Sequence, residues 1–598
     1  MNQETKQCQN CKKDFIIEPD DFAFYKKIKV PPPTWCPMCR VQRRMVWWNE
    51  RYLFRVKDAV NGKEILSGTD GFSGAKAVDK DYWYSDNWDQ NASGRDYDWN
   101  KPFFSQFGEL LREAPIPSRF IVNLVDSEYC NNATSLKNCY LVFGCTFVED
   151  SAFSDNSTQS KQIFDSSYIT DSEVSYESMF NKKCYRTFYS SYCEDSYDIY
   201  FCRDCIGCSN CIGCVNLRNK NYYIFNQPFS KENYEKEMKK IAVHKYSSII
   251  SLKDKVSDFW LKYPIRYVRG RKNENCVGEY ISNSKNVRQS YYVNDGENLK
   301  YCQGLYSKGA RDSYDHFRYG LNTELIYECT ATGGHTVGAK FCLEAFQNSQ
   351  DIQYCFVVNS SSHLFGCVGL RQKQYCILNK QYTKEEYEAL VPKIIDHMNS
   401  MPYIDKKMRV YKYGEYFPSE ISLYPYNDTV AQDFFPLIET EAIEKGFAWR
   451  KPEKRVYNVE VPWEKLPDSI LDIKEGELEN KIISCANADK VDSMFTTHCA
   501  TAFKLTPQEL NFYRANNLPL PRFCPNCRYL MRISKRNPIK LFHRSCHCVG
   551  KNSTNGIYSN TTQHFHNDKQ CSNEFETPYA PDRPEIVYCE QCYQQEVV

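Results

Sequence analysis

The sequence predicts a mainly β protein: two right-handed, parallel β-solenoid-like repeat arrays, framed by compact cysteine-knuckle domains and joined by small α and α/β connectors. Three observations predict it. Thirty cysteines fall into two distinct spacing patterns, the two ends of the chain repeat each other 488 residues apart, and two central stretches repeat each other 153 residues apart. Lys and Arg number 76 and Asp and Glu 75, so the formal net charge of +1 excludes a chain that coats nucleic acid or membrane by bulk charge. At 42% hydrophobic and 25% charged residues the 598-residue chain is globular. It has no run of about eighteen uncharged apolar residues, and its start, MNQETKQCQNCKK, lacks the apolar core of a secretory signal. The expectation is therefore a cytoplasmic protein.

The first cysteine pattern is the pair two residues apart: Cys8/Cys11, Cys36/Cys39, Cys524/Cys527 and Cys589/Cys592. Such a loop aims both thiolates at one tetrahedral ion, and two loops complete a closed zinc site. Free thiolates also belong to a reducing compartment. The N-terminal copy has the full set, Cys8, Cys11, Cys36 and Cys39. In the second copy Thr496 replaces the first ligand, leaving Cys499, Cys524 and Cys527. Cys485 is favoured as the fourth ligand over His498, which is too close to Cys499 along the chain to share an ion without strain.

The register between the copies is ungapped. Cys11-Lys-Lys-Asp-Phe15, Phe24-Tyr25, Val30-Pro31, Trp35-Cys36-Pro37 and Cys39-Arg40 match Cys499-Ala-Thr-Ala-Phe503, Phe512-Tyr513, Leu518-Pro519, Phe523-Cys524-Pro525 and Cys527-Arg528. This pattern resembles a bacterial family of zinc-binding, treble-clef-like ribbon domains. The C-terminal run Tyr579-Ala-Pro-Asp-Arg-Pro-Glu-Ile-Val-Tyr-Cys589-Glu-Gln-Cys592-Tyr593 resembles short zinc-binding modules of uncharacterised bacterial proteins. There Cys571 matches the second family ligand, but Asp568 stands where the first is expected. His566 is the nearest substitute, followed by Cys546 and Cys548. The resemblances cover about 150 residues at the two ends and imply zinc and fold, with no activity to carry over. Two or three Zn2+ ions are expected.

The second cysteine pattern runs from Cys130 to Cys376, where Cys or Ser beside Tyr or Phe recurs mostly every eleven to thirteen residues. Two such intervals, 22 to 26 residues, predict one coil of a parallel β-solenoid, with small residues in its crowded interior. Buried free cysteines pack there as small apolar groups. The run Cys202, Cys205, Cys208, Cys211 and Cys214 has three-residue steps and is a candidate metal site, although the second array lacks it. Each array should meet a covering helix: Thr383 with Glu386 forms a capping box, and Ser230 is a fitting N-cap. The aromatic segment Tyr82-Trp83-Tyr84 to Pro102-Phe103-Phe104 is expected to pack on the first array, with a carbohydrate-stacking platform as the alternative.

The expected order is a zinc ribbon (1–58), an aromatic-rich connector (59–120), the first array (121–226) and a helical connector (227–275). The second array (276–379), an α/β connector (380–480) with a helix near Glu439–Lys445, the second ribbon (481–545) and a C-terminal zinc module (546–598) complete it.

Function rests on the basic runs just beyond the knuckles. Arg40, Arg43 and Arg44 share one helical face, and Arg528, Arg532 and Arg536 repeat the pattern. Such residues could meet successive RNA or DNA phosphates, with Trp47, Trp48 or Tyr529 stacking on bases. The alternative is pairing with local acids such as Glu50 or Asp58. No convergent acid, base and nucleophile and no phosphate loop is evident. The expectation is a non-enzymatic scaffold that contacts nucleic acid through its ribbons and a protein partner on its arrays, with no membrane role. Two alternatives stay open: a protein- or carbohydrate-binding scaffold, and a zinc hydrolase or nuclease using His543, His547, His564 and His566.

Overall fold

The computed structural model describes residues 2–71, 73–451, 456–474, 476–490 and 498–597. The chain divides into two compact units, each built from two separated stretches: Met1–Arg119 with Val268–Arg450, and Phe120–Tyr267 with Lys451–Val598. Each unit holds one cysteine-knuckle domain of the duplicated pair and one β array. The α/β connector is divided between them, its helix Glu439–Glu444 falling in the first unit.

The array of Phe120–Tyr267 is a ten-stranded sheet from Ile121–Val125 to Gln227–Pro228, parallel until a final antiparallel hairpin. Tyr185 pairs with Tyr197, Tyr197 with Ser209 and Ser209 with Asn221. The ladder therefore advances by twelve residues, one interval of the sequence pattern, where two intervals were expected. The reason is a three-residue grammar. From Cys130 to Cys214 every third residue is buried, and from Asn132 to Gly213 the residue just before each such inward position has positive φ. Four such triplets make up the twelve-residue step of the ladder. A left-handed non-glycine residue costs about 1 kcal/mol or more. Here parallel backbone bonds to the next level offset that cost, as in Asn138 N to Val125 O at 2.9 Å and Tyr189 N to Tyr176 O at 2.9 Å.

Hydrogen bonding explains why Ser and Cys fill the interior. The Ser151 hydroxyl donates to Glu149 O (2.6 Å) and accepts from the Ile163 amide (2.9 Å). Cys145 does the same, donating to Phe143 O (3.3 Å) and accepting from the Ser157 amide (3.2 Å). A small γ donor–acceptor thus satisfies two buried backbone groups per level. Cys202, Cys205, Cys208, Cys211 and Cys214 share the donating half of this rule, each to the carbonyl two residues back.

In the other unit the strands from Gly270–Arg271 to Phe356–Asn359 form a nine-stranded sheet beside a four-stranded one. Its steps vary: Glu297 pairs with Arg311, Tyr314 with Tyr327 and Ser362 with Gln374. Both arrays end in an antiparallel hairpin and then a helix, Lys231–Ile241 capped by Ser230 and Lys384–Ser400 with the Thr383/Glu386 box. The aromatic segment packs on the second array, not on the first. Phe103 opens the amphipathic helix Phe103–Glu113 and lies against Tyr354 and Phe365, both at 5.3 Å. Gly366 makes room for it: with φ +67, a Cβ there would lie 2.8 Å from the Phe103 ring. Trp83, Tyr97, Phe103 and Phe104 are buried, whereas Tyr84 and Trp99 are exposed. Among the described residues no helix is long and apolar enough to cross a membrane.

Candidate metal centres and the fate of the arginines

The 488-residue repeat holds in three dimensions. The helices Pro19–Lys27 and Pro37–Met45 recur as Pro507–Ala515 and Pro525–Ile533. In each copy two cysteines lie between a pair of antiparallel strands, Glu4–Gln7/Asp14–Ile17 and Ile483–Ser484/Ala502–Phe503. The other two sit at the start of the second helix, where proline at the first position needs no amide partner. Cys36 and Cys524 are the N-caps, at the positive end of the helix dipole.

The structure brings Cys8, Cys11, Cys36 and Cys39 together, and likewise Cys485, Cys499, Cys524 and Cys527, with all sulfurs of a set within 4.8 Å. Cys11 and Cys36 are 3.8 Å apart, Cys485 and Cys527 3.8 Å, and Cys499 and Cys524 4.0 Å. A tetrahedron with zinc–sulfur bonds of about 2.3 Å has edges of about 3.8 Å, whereas a disulfide is about 2.05 Å long. None of the thirty cysteines takes part in a disulfide. In both sets an amide braces a sulfur: Cys36 N donates to Cys8 Sγ and Cys524 N to Cys485 Sγ, each at 3.2 Å. His498 lies outside the second set, and Thr496 lies outside the described residues.

The C-terminal module repeats the arrangement on different spacing. The hairpin Phe542–Ser545/Glu574–Thr577 presents Cys546 and Cys571, and Cys589 and Cys592 lie at the start of helix Glu590–Val597. These four sulfurs converge; Cys571 and Cys589 are 3.9 Å apart, and Cys589 N donates to Cys546 Sγ at 3.2 Å. The expected fourth ligand His566 is therefore replaced by Cys546, because the hairpin register places Cys546 beside the knuckle. His566 instead gathers with Cys548, His564 and Cys592. Cys202–Cys214 is absent from these sets among the described residues. His543 lies on the hairpin between Glu574 and Glu576, and His547 accepts from Arg544.

Each four-cysteine set holds one thiol well below the ordinary thiol value. Cys8 is lowered chiefly by the Cys36 thiol, Cys524 by Cys485 and Cys589 by Cys546. The last ligand of each set, Cys39, Cys527 and Cys592, is pushed far up by the same neighbours. Such proton-sharing thiols suit a dication that displaces the remaining protons.

The arginines expected to meet phosphates are committed elsewhere. Arg40, Arg43 and Arg44 are buried. Arg40 pairs with Asp315 at 2.9 Å, Arg43 with Glu415 at 2.7 Å and Glu328 at 3.0 Å, and Arg44 with Asp315 at 2.9 Å and Glu328 at 3.0 Å. In the other unit Arg528 pairs with Asp165 and, at 2.9 Å, with Glu509, while Arg532 meets Ser167 and Asp155. Arg536 is half-buried and donates to Tyr168. Trp47, Trp48 and Tyr529 are buried as well. The acids are not the local ones: Asp315 and Glu328 sit at left-handed corners of the array, as does Asp165. Each knuckle helix is docked onto its own array, and ring stacking repeats the match. Phe24 stacks on Tyr314 at 3.9 Å, and Phe512 on Phe164 at 4.0 Å.

No protein-family model matches the chain, and no curated protein matches it.

Proposed function

We propose that the chain is a zinc-binding, non-catalytic scaffold in which four-cysteine ribbon modules of treble-clef type each lock onto a β-solenoid. The observation that carries this reading is the convergence of four thiols within 4.8 Å in both copies of the duplicated module, with Cys11–Cys36, Cys485–Cys527 and Cys499–Cys524 at 3.8 to 4.0 Å. Zinc is favoured over a harder cation because the donors are all sulfur. Thirty cysteines outside any disulfide fit the reducing cytoplasm. A zinc hydrolase would need a coordination position open to water, and each set offers four side-chain donors. Nucleic acid is not part of this reading, because the arginines that suggested it face buried acids. A partner would meet the outer face of the first array, where Phe147 and Tyr185 flank Glu149, Lys161, Glu173 and Lys183 in a shallow groove.

Elemental analysis of the full chain after gel filtration tests the zinc. Stoichiometric zinc that falls when Cys11 and Cys36 are changed to serine is expected. Metal-free protein that keeps its folded spectrum, or iron in place of zinc, would overturn the reading.

A further inference from the structure

We propose that the C-terminal module is a binuclear centre in which the Cys592 thiolate bridges two metal ions. This deepens the zinc reading and rests on it. Two four-donor sets meet there and share one atom. Cys546, Cys571 and Cys589 converge on Cys592, and so do Cys548, His564 and His566, each set lying within 4.8 Å. Two tetrahedral ions need eight donor positions. Seven side chains fill them when one donor counts twice, and a thiolate sulfur, unlike an imidazole nitrogen, has lone pairs for two ions.

The second set has the geometry of ligands. His566 Nε2 lies 3.3 Å from Cys592 Sγ, and His564 Nδ1 lies 3.2 Å from Cys548 Sγ. Zinc bonds of about 2.3 Å to sulfur and about 2.0 Å to nitrogen give a tetrahedral edge near 3.5 Å. Each ring is also turned by an acceptor on its far side. His566 Nδ1 is 2.7 Å from Lys569 O, and His564 Nε2 is 3.1 Å from Glu596 Oε2, with both side chains of that pair fully buried. An N–H donated to each acceptor leaves the opposite nitrogen's lone pair facing the sulfurs. This carboxylate- or carbonyl-held tautomer is the arrangement of a metal-bound histidine. Glu596 is itself fixed by Tyr558 and by Thr561. Asn560 donates to Cys548 Sγ at 3.2 Å, as expected of an anionic sulfur. The second ion would tie the segment from Cys548 to His566 to the terminal helix. Among the described residues neither duplicated module has a second set of this kind.

Zinc counting on the full chain and its variants tests the bridge. Four ions are expected in the wild type, from the four sets. His564→Ala should leave three, and Cys592→Ser should leave two, because one sulfur serves both ions. Three ions in the wild type, or loss of a single ion in Cys592→Ser, would overturn the bridge while leaving the four-cysteine sites standing. A chain with no zinc would instead overturn the reading on which it rests. Since Cys592→Ser could unfold the module, the wild type exchanged with cadmium-113 gives a second readout. Two cadmium resonances split by coupling through the shared sulfur are expected, and the absence of that splitting would overturn the bridge.

Discussion

Arg40 and Asp315 lie 275 residues apart in sequence, yet their side chains meet at 2.9 Å with neither exposed by more than 1%. Arg528 and Asp165 repeat the contact in the other unit, also buried and remote in sequence. Each pair clamps a knuckle helix to the corner of an array, and each arginine is boxed by rings and further acids. Burial alone would lower the guanidinium pKa, but Asp315 and Asp165 raise it, so both stay charged.

Removing one partner strands the other charge in the core, which costs about 3–5 kcal/mol. Arg528→Ala should therefore lower the urea midpoint of unfolding by that equivalent. Arg528→Met combined with Asp165→Leu and Glu509→Gln should recover much of the loss, since both acids that face Arg528 are then neutral and Arg532 keeps Asp155. Equal losses in the single and triple variants would contradict the clamp. Charge reversal of Arg43 and Arg44 should impair folding, since both face buried acids.

Cysteines of the two patterns should respond differently to the same substitution. Cys202→Ser keeps a small γ donor–acceptor in a position of the kind Ser190 already fills, and Ser190 donates to Phe188 O at 2.9 Å. A cost of at most about 1.5 kcal/mol is expected, with no change in zinc content. Cys36→Ser should instead release one zinc and destabilise its module, as shown by metal analysis and thermal unfolding. Zinc loss from Cys202→Ser would make the Cys202–Cys214 run a metal site after all.

Gly366 is required by both conformation and space. Gly366→Ala places a Cβ on a left-handed residue and against Phe103, for a total of about 2–4 kcal/mol. Gly62, with φ +71 and nothing within 4 Å of its Cβ position, isolates the conformational part. Gly62→Ala should cost about 1 kcal/mol. Matching losses at the two sites, measured by urea titration, would remove Phe103 from the explanation.

His316 predicts the acid side of the stability curve. It is fully buried, with Nε2 at 3.0 Å from Thr332 O. Burial, aided by the Arg44 charge, pushes its imidazole down to about 3. The unfolded chain binds a proton near pH 6.5 that the folded chain refuses. Stability is thus full above pH 6.5 and falls as pH drops toward 3, by about 2 kcal/mol at pH 5 from this group. His316→Gln is neutral throughout, so the wild type should lose ground to it between pH 7 and pH 5. A pH-independent difference in their midpoints would contradict the assignment.

Much of this architecture is legible in the sequence, and the gaps have physical causes. Cys36-Pro37 and Cys524-Pro525 announce the knuckle helices because proline and thiolate both suit a helix start. The 488-residue offset reproduces both pairs of helices. The three-residue grammar is visible in Cys202–Cys214 alone, since elsewhere Ser, Ile, Val, Ala and Thr share the inward positions and blur the step. Arg40 and Arg44 read as a basic surface because a helical pattern shows which residues share a face, not what that face meets. Asp315 and Glu328 are too remote in sequence to be seen as partners. Cys546 ranks behind His566 in the sequence for a simpler reason: Cys546-His547-Cys548 lacks knuckle spacing, and the hairpin that aligns Cys546 with Cys589 closes across almost thirty residues.

The mass of the intact chain, measured once under native conditions and once denatured, reads the bound zinc and the state of the thiols together. The native mass should exceed the denatured mass by at least three zinc ions, one for each four-cysteine set, and the denatured mass should match thirty reduced cysteines. Equal native and denatured masses, or a denatured mass lacking two hydrogens for each linked pair of cysteines, would contradict the zinc reading.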